Sequence, residues 1–156
     1  LAIPIYKGLS SIKGRSIPLA FSLATGGLMS IMSAVGIATL LGADSSITGA
    51  MYPKSVTAPI AMGIAERIGV SPTLTAIFAV STGITGAILA PFVLNLLGIK
   101  AWWQRGFAIG IGAHGIGTSR AFSIHPEAGT YASLAMGLNG VISAVAIPVI
   151  YHLFNR

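Results

Sequence analysis

The chain has 156 residues, 54% of them hydrophobic and only 8% charged, with a net charge of +6 and no cysteine. Soluble domains carry about 25% charged residues, so this composition argues against one, and the missing cysteines exclude disulfides and thiolate metal sites. In a soluble protein the basic excess would suggest nucleic acid. Here the basic residues flank long uncharged runs, so they are expected to set membrane topology, and no nucleic-acid partner is expected.

The runs decide the class. No Asp, Glu, Lys or Arg occurs from Ser16 to Ala43, from Ile68 to Ile99, or from Ala128 to Asn155. Each exceeds the roughly 20 apolar residues that span a bilayer, and they are too long and too recurrent for a signal peptide. The expected fold is all-α: a polytopic membrane protein read as one domain over residues 1–156. The sequence opens on Leu1, and Ala2 to Tyr6 reads as the tail of an earlier span, so preceding helices are expected.

Lys7, Lys13 and Arg15 form the densest basic cluster, expected on the cytoplasmic side. Ser16–Leu41 is the first full span, rich in small residues such as Gly26, Gly27, Ser30 and Ala34 that let membrane helices approach. Gly42–Ser46 reads as an exit loop, with Asp44 and the serines as N-caps. Met51–Met62 follows and carries Lys54, two hydroxyls and two prolines. Pro53 and Pro59 each lack a backbone donor and resist a continuous helix. In lipid such a break survives only when buried in protein or lining a wet cavity, and a lysine at that depth is a functional-site candidate. A short helix then runs from Ala58 to Arg67 and ends at Gly69. Ser71 caps and Pro72 starts the second span, to Leu97. Lys100–Arg105, with its Trp pair, is an interfacial knot. Gly106–Ala113 is a short glycine-rich helix, His114–Arg120 is polar and broken again, and His125-Pro126-Glu127 opens a last span that reaches Phe154.

One pattern occurs twice, over about residues 44–97 and 100–153. A polar break with a cation and hydroxyls precedes a full span holding G-x-x-G and a later proline. The first copy has Lys54, Ser55 and Thr57, then Gly83/Gly86, then Pro91. The second has His114, Thr118 and Arg120, then Gly137/Gly140, then Pro148. If each break enters and returns, the copies are inverted, and Lys100 and Arg105 join Lys7, Lys13 and Arg15 on one side. That agrees with the positive-inside tendency, and inverted copies with broken helices are a recurring transporter plan.

At Pro53-Lys54-Ser55-Val56-Thr57-Ala58-Pro59-Ile60-Ala61-Met62 and at Ala113-His114-Gly115-Ile116-Gly117-Thr118-Ser119-Arg120 the chain closely resembles the LrgB/CidB family. The resemblance covers almost the whole chain. It implies a multi-pass inner-membrane protein acting with a small LrgA/CidA-type membrane subunit. Two roles are implied: a carrier of small monocarboxylates such as pyruvate or glycolate, and a holin/antiholin-like regulator of murein hydrolase export and lysis. A homo-oligomer is left open.

A small carboxylate needs a compact cation, hydroxyl donors and free backbone N–H groups. Lys54 supplies the charge, Ser55 and Thr57 the hydroxyls, and the short helix after Ser55 its N-terminal donors. Arg120 can grip a carboxylate bidentately, with Thr118 as a second hydroxyl. Gly115 and Gly117 leave the backbone bare. His114 titrates near neutral pH and is the candidate proton carrier. Asn139 is polar at membrane depth and suits a helix–helix hydrogen bond or ligand contact equally. Lys54, Arg120 and His114 are expected to share one cavity where the breaks cross. His114, His125 and His152 lack metal-ligand spacing. The three carboxylates, Asp44, Glu66 and Glu127, sit at predicted helix ends, so no acid pair exists for acid–base catalysis and no enzyme is expected. No phosphate-binding loop occurs, and no cofactor is expected.

Overall fold

A computed structural model describes Tyr6 and residues 14–154. The expected span tail at residues 1–5, the basic residues Lys7 and Lys13, and Arg156 lie outside the described residues. Among those described there are six helices and no strand: α1 (Ser16–Leu40), α2 (Ser45–Met51), α3 (Ala58–Ile68), α4 (Pro72–Leu96), α5 (Trp102–Ile124) and α6 (Pro126–Phe154). Three of these, α1, α4 and α6, are long and apolar enough to cross a membrane.

The boundaries follow from local chemistry. Asp44 accepts from the Ser46 and Ile47 amides and from the Ser46 hydroxyl, which starts α2 inside a stretch expected to be loop. The Ser46 hydroxyl and the Ile47 N–H hold the Asp44 carboxyl below the usual carboxylate range. The cap is therefore intact above the ordinary aspartate pKa and is lost as pH falls through the depressed value. Gly69 ends α3 with φ 77°, the left-handed conformation that glycine adopts without a Cβ clash. Ser71 accepts from the Leu74 amide and Pro72 starts α4. Helix α5 begins at Trp102, four residues ahead of the expected start at Gly106.

Contacts fix which helix ends lie together. At one end Arg15 sits 4.8 Å from the Trp103 ring centroid and donates to Tyr131 Oη at 3.0 Å. Arg105 sits 5.6 Å from the Trp102 ring and donates to Asn95 Oδ1 at 2.8 Å. The starts of α1, α5 and α6 and the finish of α4 thus meet, and Arg15 and Arg105 share a side as expected. At the opposite end the Tyr52 and Tyr151 rings pack edge to face at 5.2 Å. A Cβ added to Gly49 would lie 2.8 Å from Val70 and 3.4 Å from Tyr151 Oη, so α2, the α3–α4 joint and the finish of α6 meet there.

Both broken segments are hairpins. A straight helix of the 23 residues of α5 would separate its ends by about 33 Å at 1.5 Å per residue. Instead the Trp102 and His125 rings stack at 4.8 Å and 7°. The turn is at His114, whose φ of 36° and ψ of −125° interrupt the helix. The other segment enters as α2, turns through residues 52–57 and returns as α3, with Gly49 back against Val70. The α2–α3 hairpin opens at the tyrosine end and the α5 hairpin at the tryptophan end. Their tips approach at mid-height, where a Cβ on Gly115 would lie 3.9 Å from Thr57 Cγ2.

Helix α6 is the spine. Tyr131, Ala132, Leu134 and Ala135 are buried on it, whereas α1 and α4 leave much of their apolar surface exposed. This arrangement predicts one labelling pattern in membranes. Ser46→Cys and His152→Cys should react with an impermeant thiol reagent from the same side, and Gln104→Cys from the other. Labelling of Ser46→Cys and His152→Cys from opposite sides would refute the hairpin topology.

Candidate functional site

A break inside an apolar bundle strands backbone carbonyls, and two buried side chains answer them. Asn139, from the middle of α6, donates Nδ2 to the Ser55 carbonyl at 2.9 Å. Thr75, in the first turn of α4 and fully buried, donates to the Ala50 carbonyl at 3.1 Å. Asn139 therefore resolves as a helix-to-break hydrogen bond, with Ser143 donating to its Oδ1 at 3.5 Å. Pro53 is fully buried in the turn, while Pro59 is exposed in the first turn of α3. Helix α3 starts at Ala58 with Thr57 as N-cap, and Thr57 forms no side-chain cap bond.

The turn presents Lys54 at the level of the middle of α1 and α4. Its Nζ donates to Ser30 Oγ at 3.1 Å and to Ser55 Oγ at 3.3 Å, and the two hydroxyls are 2.6 Å apart. An ammonium has three donors, so one remains for an acceptor in the adjoining cavity of about 460 Å³. That cavity is lined by Lys54, Met51 and Gly112, and by Ser81, Thr82 and Thr85 of α4. The sequence holds only three carboxylates. Asp44 caps α2, Glu66 lies in the last turn of α3, and Glu127 lies in the first turn of α6. The ion pair among the described residues is Arg15–Glu127 at 3.8 Å. Lys54 is thus half-buried with hydroxyl partners and no anion of the protein beside it.

His114 is buried behind α4. A Cβ on Gly83 would lie 2.7 Å from its Cε1 and 3.3 Å from its Nε2. Nε2 makes no hydrogen bond, although the Ala79 backbone approaches the ring and the Lys54 charge is near enough to act on it. Among the described residues His114 is the one non-glycine with positive φ. A bulky residue there costs of order 1–3 kcal/mol, strain typical of functional sites. The neighbouring glycines differ in role. Gly115 is bare, with nothing nearer to an added Cβ than 3.9 Å. At Gly117 a Cβ would collide with Ala113 and Ile109, so this glycine closes the α5 hairpin onto itself.

Lys54, Ser55, Thr57, His114 and Gly115 are therefore brought together at mid-height. Thr118 is buried and turned to Met136, with Oγ1 3.8 Å from the sulfur. The expected shared cavity is not formed: Arg120 is exposed on the return limb of α5, His114 is buried against Gly83, and neither lines the Lys54 cavity. The sequence reading missed Ser30 and Thr75. Ser30 was expected only as a small packing residue. Its signal was its distance from either end of the first span, which places it at the depth of Lys54.

The model of the LrgB-like family matches residues 1–153. The chain belongs to the LrgB-like family. It is 35% identical over 147 residues to the Bacillus subtilis protein YwbG, covering 94% of this chain and 65% of that protein. It is 30% identical over 154 residues to the holin-like protein CidB of Staphylococcus epidermidis, covering 99% of this chain and 67% of that protein. The chain thus spans about two thirds of the length of the curated relatives it matches. No solved structure matches it.

The carbonyl caps yield a stability prediction. Asn139→Ala leaves the buried Ser55 carbonyl unpaired and should cost about 1–3 kcal/mol, read as a lower thermal midpoint in detergent. Ser33→Ala, on an exposed hydroxyl bonded only to its own helix, should change the midpoint little. Equal midpoints for the two variants would remove Asn139 from this role.

Proposed function

We propose that this membrane protein is the core of a carrier for small monocarboxylates of the pyruvate or glycolate class, not an enzyme. It would act in the cell inner membrane as a multi-pass protein, with an LrgA/CidA-type subunit and an ion gradient as the driving force. The observation that supports this reading is the Lys54 ammonium, held by Ser30 and Ser55 beside a cavity, with no carboxylate of the chain near it. A charge at that depth is costly unless it meets a polar partner, and a monovalent carboxylate supplies one. Thr57 adds a hydroxyl close to the turn, and the α3 N-terminus adds a favourable dipole. His114, strained and near Lys54, is the proton carrier of this proposal.

Hairpins opening at opposite ends favour reading the two copies as an inverted repeat. Packing also favours it. Gly83 and Gly86 of the first copy receive His114, Ile116 and Ala113 of the second, and Gly140 of the second receives Ile60 of the first.

A second reading, a holin/antiholin-like regulator of murein hydrolase export and lysis, draws on the holin-like name of the CidB relatives. Proteoliposomes holding the protein and its LrgA-type subunit separate the two. Saturable, stereospecific uptake of labelled monocarboxylates is expected of the carrier. Leak of neutral solutes graded by size, without saturation, would overturn it in favour of the holin-like reading.

Within the carrier reading, Lys54→Ala should lose uptake while membrane insertion is retained. A lost buried charged contact is worth about 2–5 kcal/mol, or roughly 30-fold or more in affinity. Arg120→Lys should be mild, because Arg120 is exposed and apart from Lys54. Full uptake by Lys54→Ala would remove Lys54 from the site.

A further inference from the structure

Two open cavities adjoin at mid-height. The first, of about 500 Å³, runs between α1 and α5 from Trp103 and Gln104 at the tryptophan end to Ser30 at mid-height. The second, of about 460 Å³, runs from Lys54 at mid-height along α4 to Phe78 and Met51, toward the tyrosine end. One residue, Gly112, lines both. One residue of each cavity also pairs with the other: Ser30 lines the first, Lys54 lines the second, and they are hydrogen-bonded at 3.1 Å.

Gly112, like Gly115, is not packed against a neighbour. A Cβ on Gly86, Gly110 or Gly117 would collide with the protein, whereas a Cβ on Gly112 meets nothing within 4 Å. Packing therefore does not demand glycine at this position. A glycine inside a helix is destabilising relative to alanine. Its effect here is to leave space where the two cavities meet, two residues ahead of the strained turn at His114.

We propose that the two cavities are the halves of one aqueous route that meet at Gly112, with the Ser30–Lys54 hydrogen bond as the barrier that divides it in this conformation. The proposal rests on the carrier reading and names its path. A small anion entering from the tryptophan end meets Ser22 and then Ser30. It takes over the Lys54 donor that Ser30 holds, so recognition of the anion and opening of the barrier are one exchange of hydrogen bonds. The hydroxyls of Thr82, Thr85 and Ser81 then line the way out.

The chain has no cysteine, so single cysteines report water access directly, through the thiolate that reacts with an impermeant methanethiosulfonate anion. In the full-length protein in membrane vesicles, Ser22→Cys should be labelled only from the tryptophan-end side and Ser81→Cys only from the other. Gly112→Cys should be labelled from at least one side. Val145→Cys, on the exposed apolar face of α6, should stay unlabelled. An unreactive Gly112→Cys, or Ser22→Cys and Ser81→Cys reacting from the same side, overturns the route. In proteoliposomes with labelled pyruvate as the probe, Gly112→Leu should lose uptake while remaining monodisperse in detergent. Gly63→Leu, equally unhindered but outside both cavities, should keep it. Undiminished uptake by folded Gly112→Leu also overturns the proposal. If the unmodified protein takes up no pyruvate, the carrier reading fails for that substrate, and the labelling pattern still decides the route.

Discussion

The structure depends on one constraint: a peptide chain broken inside an apolar bundle must find partners for the carbonyls and amides that the missing helical turns leave open. In hydrocarbon each unsatisfied group costs several kcal/mol, so a break persists only where the surroundings are built to receive it. The α2–α3 turn meets this demand with two side chains from two different spans, Thr75 on the Ala50 carbonyl and Asn139 on the Ser55 carbonyl. Because α4 and α6 both hold the turn, its position is set by the body of the bundle. Lys54 inherits that precision. Its ammonium is placed by a backbone anchored on both sides, and its hydroxyl partners come from the turn itself and from α1.

The α5 break solves the same problem by folding on itself. Its two limbs lie so close that Gly117 cannot carry a Cβ, and the outgoing limb sits so close to α6 that Gly106 and Gly110 cannot either. Small residues at such crossings let dispersion and short backbone contacts replace the hydrophobic drive that is missing in lipid. The residue left with the awkward backbone conformation is His114. Its ring fills the space opened by Gly83, and its Nε2 stays without a hydrogen bond. Glycine at 114 would relieve the strain, so the imidazole is retained at a cost in backbone energy, as expected when a side chain matters more than local comfort.

Much of this was legible in the sequence because the signals are local or compositional. The three uncharged runs became α1, α4 and α6. Asp44, Gly69, Ser71 and Pro72 ended or started helices where their cap chemistry requires. The prolines around Lys54 and the glycines around His114 marked both breaks. What the sequence did not carry is three-dimensional. Helix α2 is only seven residues long and has no period to read, so its N-cap was seen but not the helix. Ser30 and Thr75 look like any small residues of a span until the fold sets them at the height of the turn. Arg120 shares its motif with His114, yet neither lines the Lys54 cavity: His114 is buried against Gly83 and Arg120 is exposed on the return limb. Proximity in sequence across a hairpin turn does not translate into a shared wall.

The exchange of glycines between the two halves bears on how such a bundle moves. Gly83 and Gly86 sit in the helix that follows the first hairpin but cradle the tip of the second. Gly140 sits in the helix that follows the second but cradles Ile60 of the first. Neither hairpin therefore has a wall made only of its own half. A displacement of α4 that shifts the His114 ring also drags Thr75 and the Ala50 carbonyl bound to it. A displacement of α6 moves Asn139 and, through it, the turn that bears Lys54. The two tips are thus tied to each other through both spines, while α1 touches the site mainly through Ser30. The element with the fewest ties at mid-height is the one able to shift at least energetic cost, and its polar contacts to the site are those of Ser30, to Lys54 and to the Ser55 hydroxyl. Motion of α1 against the rest of the bundle is therefore the rearrangement that this packing leaves open, and it is the one that would make or break the contact at Lys54.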